Sequence, residues 1–287
     1  MTAPLLEVDG LSVRFPSRNR VVEAVRNISF SVGREKVGIV GESGSGKTMT
    51  GRSVLGLIRP PGIVTARKMM FDGIDLLALS EKQMRDIRGN RISMVMQDPK
   101  FSLNPVMTVG KQIDEAYRVH SGASARDAKL RTLEMLEAVR IRDPERVYNA
   151  YPHEVSGGMG QRIMIAMMLV PEPDLLIADE PTSALDVTVQ MQVLAIVDDL
   201  VSQRGMGLMF ISHDLNLVAS FCDRVVIMYG GQIVETCKAA DLHNAQHPYT
   251  RGLLASLPRV DRPVDQLSTL VREESWKLEP GVDARIL

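Results

Sequence analysis

The sequence has no apolar run approaching the roughly 18 residues that a membrane-spanning helix needs. Its longer apolar stretches, such as Leu175–Ala178 and Leu208–Ile211, are of strand length. Work at a membrane would therefore go through partners. The N-terminal residues Met1–Leu11 lack the basic stretch, apolar run and cleavage site of a signal peptide. Cysteine is scarce: Cys222 and Cys237 stand alone, outside metal or redox spacings, which is the pattern of free thiols in a reducing compartment. An excess of charge of one sign is also missing. With 34 Lys and Arg against 35 Asp and Glu, the net charge of −1 gives no basic surface on which to expect nucleic acid. There is no internal repeat and no low-complexity segment. Hydrophobic residues at 45% and charged residues at 24% describe an ordinary globular chain, and 287 residues leave room for one large domain with a small appendage.

What is present is alternation. Leu5–Phe15 and Ala24–Val32 read as strands, and Lys36–Val40 as a short apolar strand running into a glycine-rich loop. A helix is expected over Gly46–Ile58, and strands over Lys68–Asp72 and Arg91–Gln97. The middle is helical in pattern, over Val109–His120, Ala123–Val139 and Ser156–Val170, with Asp143-Pro144 and Tyr151-Pro152 as breaks. Strands Leu175–Ala178, Gly207–Ser212 and Arg224–Tyr229 then alternate with helices Val187–Gln203 and Asp214–Ser220, and Gly230-Gly231 turns into Gln232–Glu235. Such alternation predicts an α/β fold around a mostly parallel sheet. The tail is expected to be loosely held beyond Pro263.

Gly41-Glu42-Ser43-Gly44-Ser45-Gly46-Lys47-Thr48 fits the phosphate-loop pattern G-x-x-x-x-G-K-[ST] in full, with an apolar strand before it and a helix after it. Glycines let backbone N–H groups turn inward around a β-phosphate, and the helix start near Gly46 favours an anion. Lys47 is suited to neutralise the β- and γ-phosphates, and the Thr48 hydroxyl to ligate Mg²⁺. Ser43, Gly44, Ser45 and Met49 complete the expected nucleotide-binding set. In Asp174–Glu180, apolar residues feed a buried parallel strand whose C-terminal end presents two carboxylates, and ligands bind at that end of parallel strands. Asp179 then suits Mg²⁺, and Glu180 suits orienting or deprotonating an attacking water. Taken alone, a strand ending in exposed acids would be unremarkable.

Val155-Ser156-Gly157-Gly158-Met159-Gly160-Gln161-Arg162 resembles the signature of the ABC transporter ATPases, L-S-G-G-Q or, in peptide-type importers, L-S-G-G-M-R-Q-R. Pro181–Asp186 resembles the family's D-loop, Ser212-His213-Asp214 its switch histidine, and Gln97 its Q-loop glutamine. With the phosphate loop these cover residues ~5 to ~236 in the family's order. The resemblance implies a P-loop NTPase core with an antiparallel β subdomain over 1–238, an α-helical signature subdomain over about 98–170, and a C-terminal extension over 239–287. It implies ATP and Mg²⁺ as cofactors. ATP would lie between the phosphate loop of one subunit and the signature of another. Ser156 can cap its helix, and Gly157 and Gly158 expose N–H groups there. By the same resemblance Gln97 senses Mg²⁺ and water, His213 contacts the γ-phosphate, Asp186 lines the subunit interface, and Phe15 stacks on adenine, with core packing as its alternative. Two departures stand out: Val155 for the usual Leu, and Gly160 for a commonly basic residue. They leave open whether two ATP sites would be equal.

Gln97–Pro105 and His247–Pro258 resemble the Q-loop and C-terminal extension of the oligopeptide, dipeptide and nickel importer branch. That branch implies an ATPase energising an importer for peptides, nickel or related solutes. It would sit peripherally on the cytoplasmic face of the inner membrane. Its partners would be two transmembrane permease subunits meeting residues ~98–155, a second ATPase subunit (a sister chain, or a second copy), and indirectly a solute-binding protein, with no nucleic acid. Many members carry a cysteine-bearing tail; this one does not, so no iron–sulfur cluster is expected. Trp276 could dock on a partner or be loosely packed. A non-transport ABC ATPase usually has paired ATPase domains, a coiled-coil insertion or a basic surface. A nucleotide kinase would leave Val155–Gln161 unexplained.

Overall fold

The computed structural model describes residues 3–17, 20–96, 102–183, 185–257, 270, 273–277 and 279–285. In chain order its strands are β1 (Leu6–Pro16), β2 (Val21–Val32), β3 (Lys36–Val40), β4 (Ile63–Thr65), β5 (Lys68–Phe71), β6 (Ile74–Asp75), β7 (Ile92–Val95), β8 (Leu175–Asp179), β9 (Gly207–Ser212), β10 (Arg224–Tyr229), β11 (Gln232–Lys238) and β12 (Asp283–Ala284). Its α-helices are α1 (Lys47–Val54), α2 (Glu81–Ile87), α3 (Val109–Ser121), α4 (Ala125–Ala138), α5 (Pro144–Asn149), α6 (Gly157–Leu169), α7 (Val187–Arg204), α8 (Leu215–Phe221) and α9 (Pro248–Ala255). The contacts divide the chain into two units, Met1–Leu79 with Met209–Leu287, and Ser80–Leu208.

The first unit holds an antiparallel sheet in the order β12-β2-β1-β5-β6, with β4 also on β1. β1 and β2 pair Leu6 with Val32 and Val8 with Phe30, all four buried, so one face of this sheet is core. The unit also carries strands in the order β11-β10-β3-β9. β10 runs parallel to β3, Val225 opposite Gly38 and Ile227 opposite Val40, and antiparallel to β11. All six residues of β10 are buried, which is the burial expected of strands covered on both faces. That is why these segments read as continuous apolar runs. In the second unit β7 and β8 are parallel, Ile92 opposite Leu175 and Val95 opposite Ala178. The Arg91–Asp174 ion pair closes their N-terminal ends. Asp114 on α3 accepts hydrogen bonds from Thr132 of α4 at 2.6 Å and from the Tyr148 hydroxyl of α5 at 2.5 Å, tying three helices. Burial, with the Asp114 carboxylate beside it, pushes the Tyr148 phenol up to about 12. Gln112 pins the chain entering α3: its Oε1 accepts from the Asn104 amide at 2.7 Å and its Nε2 donates to the Asn104 and Met107 carbonyls.

The structure corrects several expectations. α1 stops at Val54 instead of running to Ile58, because Gly56 adopts φ +61° and the Leu57 amide turns back to the Arg52 carbonyl. Asp143-Pro144 opens a helix: Pro144 takes the first position of α5 and Asp143 accepts the Arg146 N–H at 3.2 Å. α2 was not foreseen, although Ser80 and Gln83 form a capping box. The tail is packed where it is described. Trp276 is 6% exposed, edge-on to Tyr229, Tyr249 and His247, and β12 adds to the edge of β2. A large ring buries enough apolar surface to hold a polar tail against the body. No helix among the described residues is long and apolar enough to cross a membrane.

Candidate functional site

The phosphate loop lies in the first unit between β3 and α1. Two of its glycines are required by close approach: a Cβ at Gly41 would stand 2.2 Å from the Met228 carbonyl oxygen, and one at Gly46 (φ +103°) 2.5 Å from that of Ala24. Within the loop the Ser45 N–H donates to the Glu42 carbonyl at 3.1 Å. Lys47 is 5% exposed, and its Nζ donates to the carbonyls of Gly41 at 2.7 Å and Glu42 at 2.9 Å. The Ser45 hydroxyl is buried with no hydrogen-bond partner. A buried donor without a partner, a retained ammonium and a tight glycine turn are together what an oxyanion such as phosphate would satisfy.

His213 shares a cleft of about 550 Å³ with Gly41, Glu42, Ser43, Leu215 and Leu253. Its backbone is fixed from both sides: Ser212 Oγ accepts the Asp214 N–H at 3.0 Å, and Asp214 caps α8 through the Leu217 N–H at 3.1 Å. The structure therefore brings His213, which by sequence resembles a switch histidine, to the loop. Phe15 is half-buried at the end of β1, opposite Val22, with its ring edge over Gly62.

The second unit carries the other elements. Asp179 ends β8 and is 5% exposed. Glu180 follows in the left-handed region at φ +48°, a conformation costing a non-glycine residue about 1–3 kcal/mol that concentrates at functional positions. The Ser183 N–H and hydroxyl both donate to the Glu180 carbonyl and hold that turn. Ser156 caps α6, its Oγ accepting the Met159 N–H at 3.4 Å, and Gly157 faces open space. Asp186 caps α7, accepting the Val189 N–H at 3.0 Å. A Cβ on Gly158 would stand 2.7 Å from the Val189 side chain, so signature and D-loop helix meet at that glycine. Gly160 is buried early in α6. Gln97 lies outside the described residues, as does Ala184 of the D-loop.

Sequence reasoning missed one contact. The Glu42 N–H donates to the Tyr249 hydroxyl of α9 at 3.0 Å, and Leu253 lines the same cleft. His247-Pro248-Tyr249-Thr250 was legible as a motif, but nothing in its spacing tells which distant backbone it meets. Among the described residues no group of three or more His, Cys, Asp or Glu side chains could hold a metal ion. Mg²⁺ binds through one or two protein groups together with nucleotide phosphates, and the Thr48 hydroxyl and the Asp179 carboxylate, each in its own unit, are oxygen donors of that kind.

The family model for ABC transporters matches residues 25–183. The chain is 51% identical over 257 residues to a probable peptide ABC transporter ATP-binding protein, y4tR, of Sinorhizobium fredii, covering 88% of this chain and 77% of that protein. It is 47% identical to the oligopeptide transport ATP-binding protein OppD of Bacillus subtilis, covering 93% of this chain and 75% of that one. To the dipeptide transport ATP-binding protein DppD of Escherichia coli it is also 47% identical, over 93% and 82% of the two chains. Among solved structures it resembles the dimeric post-hydrolysis state of the ATP-binding cassette MJ0796 bound to ADP and Pi, with TM-score 0.73, 26% identity, and coverage of 82% of this chain and 98% of that one. By these matches this chain belongs to the ABC transporter family as an ATP-binding, ATP-hydrolysing cassette.

Proposed function

We propose that this cassette energises import of peptides or of related small solutes such as nickel chelates, from the cytoplasmic face of the cell membrane. The supporting observation is the 45–51% identity, over most of the chain, to ATP-binding proteins named for peptide, oligopeptide and dipeptide transport. Residues 1–238 form the ATP-binding domain in this reading, with the helical signature region within it and 239–287 as the extension. ATP is gripped by Gly41–Thr48 and Met49, with Phe15 against the base. The Ser156–Gly158 helix tip of a second cassette completes the pocket, and Asp186 lies at that interface. The partner cassette is a sister chain or a second copy, and two permease subunits dock on the helical region.

Hydrolysis is an in-line attack of water on the γ-phosphorus. Glu180 orients that water and takes its proton, His213 holds the γ-phosphate, and Lys47 neutralises charge on the β- and γ-oxygens. Mg²⁺, when bound by Thr48, Gln97 and Asp179, supplies charge neutralisation on the phosphates. Gln97 carries its role by sequence resemblance alone. The test is reconstitution with two permeases, the second ATPase and a solute-binding protein in vesicles. Peptide-loaded binding protein is expected to raise ATPase activity several-fold. Stimulation by a nickel chelate alone would narrow the cargo to that solute, and no stimulation by any loaded binding protein would refute the importer reading.

A further inference from the structure

The hydrogen bond from the Glu42 N–H to the Tyr249 hydroxyl joins the C-terminal extension to the phosphate loop at one residue. Glu42 is also the hub of the loop's internal bonding: its carbonyl accepts from Lys47 Nζ at 2.9 Å and from the Ser45 N–H at 3.1 Å. The same residue thus has its amide held from outside the ATP-binding domain and its carbonyl held by the lysine that meets phosphate. Tyr249 is well placed to fix it. It is fully buried, its ring centroid is 4.4 Å from that of Tyr229 and 6.2 Å from that of Trp276, and its own N–H donates to His247 Nδ1 at 3.1 Å. One helical turn later, Leu253 lines the cleft that Glu42 and His213 share.

We propose that Tyr249 is a positioning residue for nucleotide: through the Glu42 amide it sets the shape of the phosphate loop, and so makes the C-terminal extension part of the ATP site. The proposal rests on the reading that Gly41–Thr48 holds ATP. Its physical basis is restriction. A loop that accepts phosphate through backbone N–H groups binds best when its peptide planes are already oriented, because ordering them on binding costs affinity. Tyr249 holds one such plane, and the carbonyl of the same residue aims Lys47. The interaction is present with or without the transition state, so it is expected to act on binding and not on the chemical step.

The experiment compares the full-length wild type, Tyr249→Phe, Tyr249→Leu and Lys47→Ala by calorimetric titration with MgATP, and by ATPase assay of the assembled transporter. Tyr249→Phe keeps the buried ring and removes the hydroxyl. It is expected to weaken ATP binding and raise KM by about three- to tenfold, the effect of one ordinary hydrogen bond, with kcat within about twofold. Tyr249→Leu is expected to lose at least as much. A Tyr249→Phe protein with wild-type affinity and KM, or one whose only change is a lower melting temperature, overturns the proposal. Should the variants not fold, hydrogen exchange on the unaltered chain decides. MgATP is expected to slow exchange in both 41–48 and 247–256, and slowing in 41–48 alone overturns it. Lys47→Ala separates the two readings. If it keeps wild-type affinity, the loop assignment itself is wrong and this inference goes with it. If it loses affinity while Tyr249→Phe does not, only the role of Tyr249 is wrong.

Discussion

Lys47 is bonded to the first residue of its own motif: its ammonium donates to the Gly41 carbonyl oxygen at 2.7 Å, from a position 5% exposed. The two carbonyl oxygens, of Gly41 and Glu42, fix the aim of this group, and phosphate oxygens are stronger acceptors than the carbonyls. Replacing Lys47 by Ala removes both the charge and the contact. We expect Lys47→Ala to weaken ATP binding by about two orders of magnitude or more, the usual scale for losing one partner of a desolvated charge pair. Equilibrium titration with MgATP checks it, and a variant binding as tightly as wild type would remove the loop from the site.

Glu180→Gln separates binding from hydrolysis. The amide keeps the size and polarity of the carboxylate but cannot take a proton from water, a contribution worth about 10²–10⁴ in rate. The variant is expected to bind ATP, to lose ATPase activity by that factor, and to accumulate as an ATP-bound dimer on size exclusion. Full ATPase activity would show that another group acts as the base.

The cassette was legible in the sequence because its chemistry is local. Gly41–Thr48, Asp179-Glu180 and Ser156–Gly158 are short motifs whose function needs fixed residue types at fixed spacing, and the strands that carry them are apolar runs. Helix ends were less legible: Gly56 ends α1 through a left-handed turn, and the Asp143 cap turns an apparent break into a helix start. The tail was illegible for another reason. Trp276 is buried by Tyr229, Tyr249 and His247, the nearest of them 27 positions away in the chain (276 − 249), and no pattern in a polar tail announces partners that distant. The same holds for Tyr249 and Glu42, which are separated by 207 positions.

The acid limb of stability is expected to depend on Asp9. Hydrogen bonds from Arg67 at 2.7 and 3.0 Å, helped by Ser29 and the charge of Arg285, hold its carboxyl down at about 2 against partial burial. The ordinary value in an unfolded chain is about 3.9. The folded carboxylate is therefore favoured: its stabilisation is complete above about pH 4 and is lost as pH falls through 2, because the unfolded chain binds the proton first. Asp9→Asn should be less stable at neutral pH and should show a flatter stability profile between about pH 4 and 2. Urea melts at several pH values measure this, and a variant with the wild-type slope would assign the acid limb to other carboxyls.

Trp276 offers the sharpest test of the packed tail. Its ring lies edge-on to Tyr229 at 5.9 Å and to Tyr249 at 6.2 Å, on a face that also receives His247. Beyond it, Val282 N–H donates to the Ile233 carbonyl at 2.8 Å, and the buried Arg224 donates to the Ala284 carbonyl at 3.0 Å and to the Glu35 carboxylate at 2.7 Å. The ring contacts and these bonds act on the same chain end. Trp276→Ala removes a buried aromatic side chain, a change that costs about 3–5 kcal/mol in a well-packed core. The melting temperature should therefore fall by several degrees, with Trp276→Phe falling less because it keeps a ring against Tyr229. A tail that merely rests on the surface would give no shift with either variant. Equal and full melting temperatures for wild type and Trp276→Ala would mean that the ring contributes nothing to the fold, and that the Arg224 and Val282 bonds hold the tail without it.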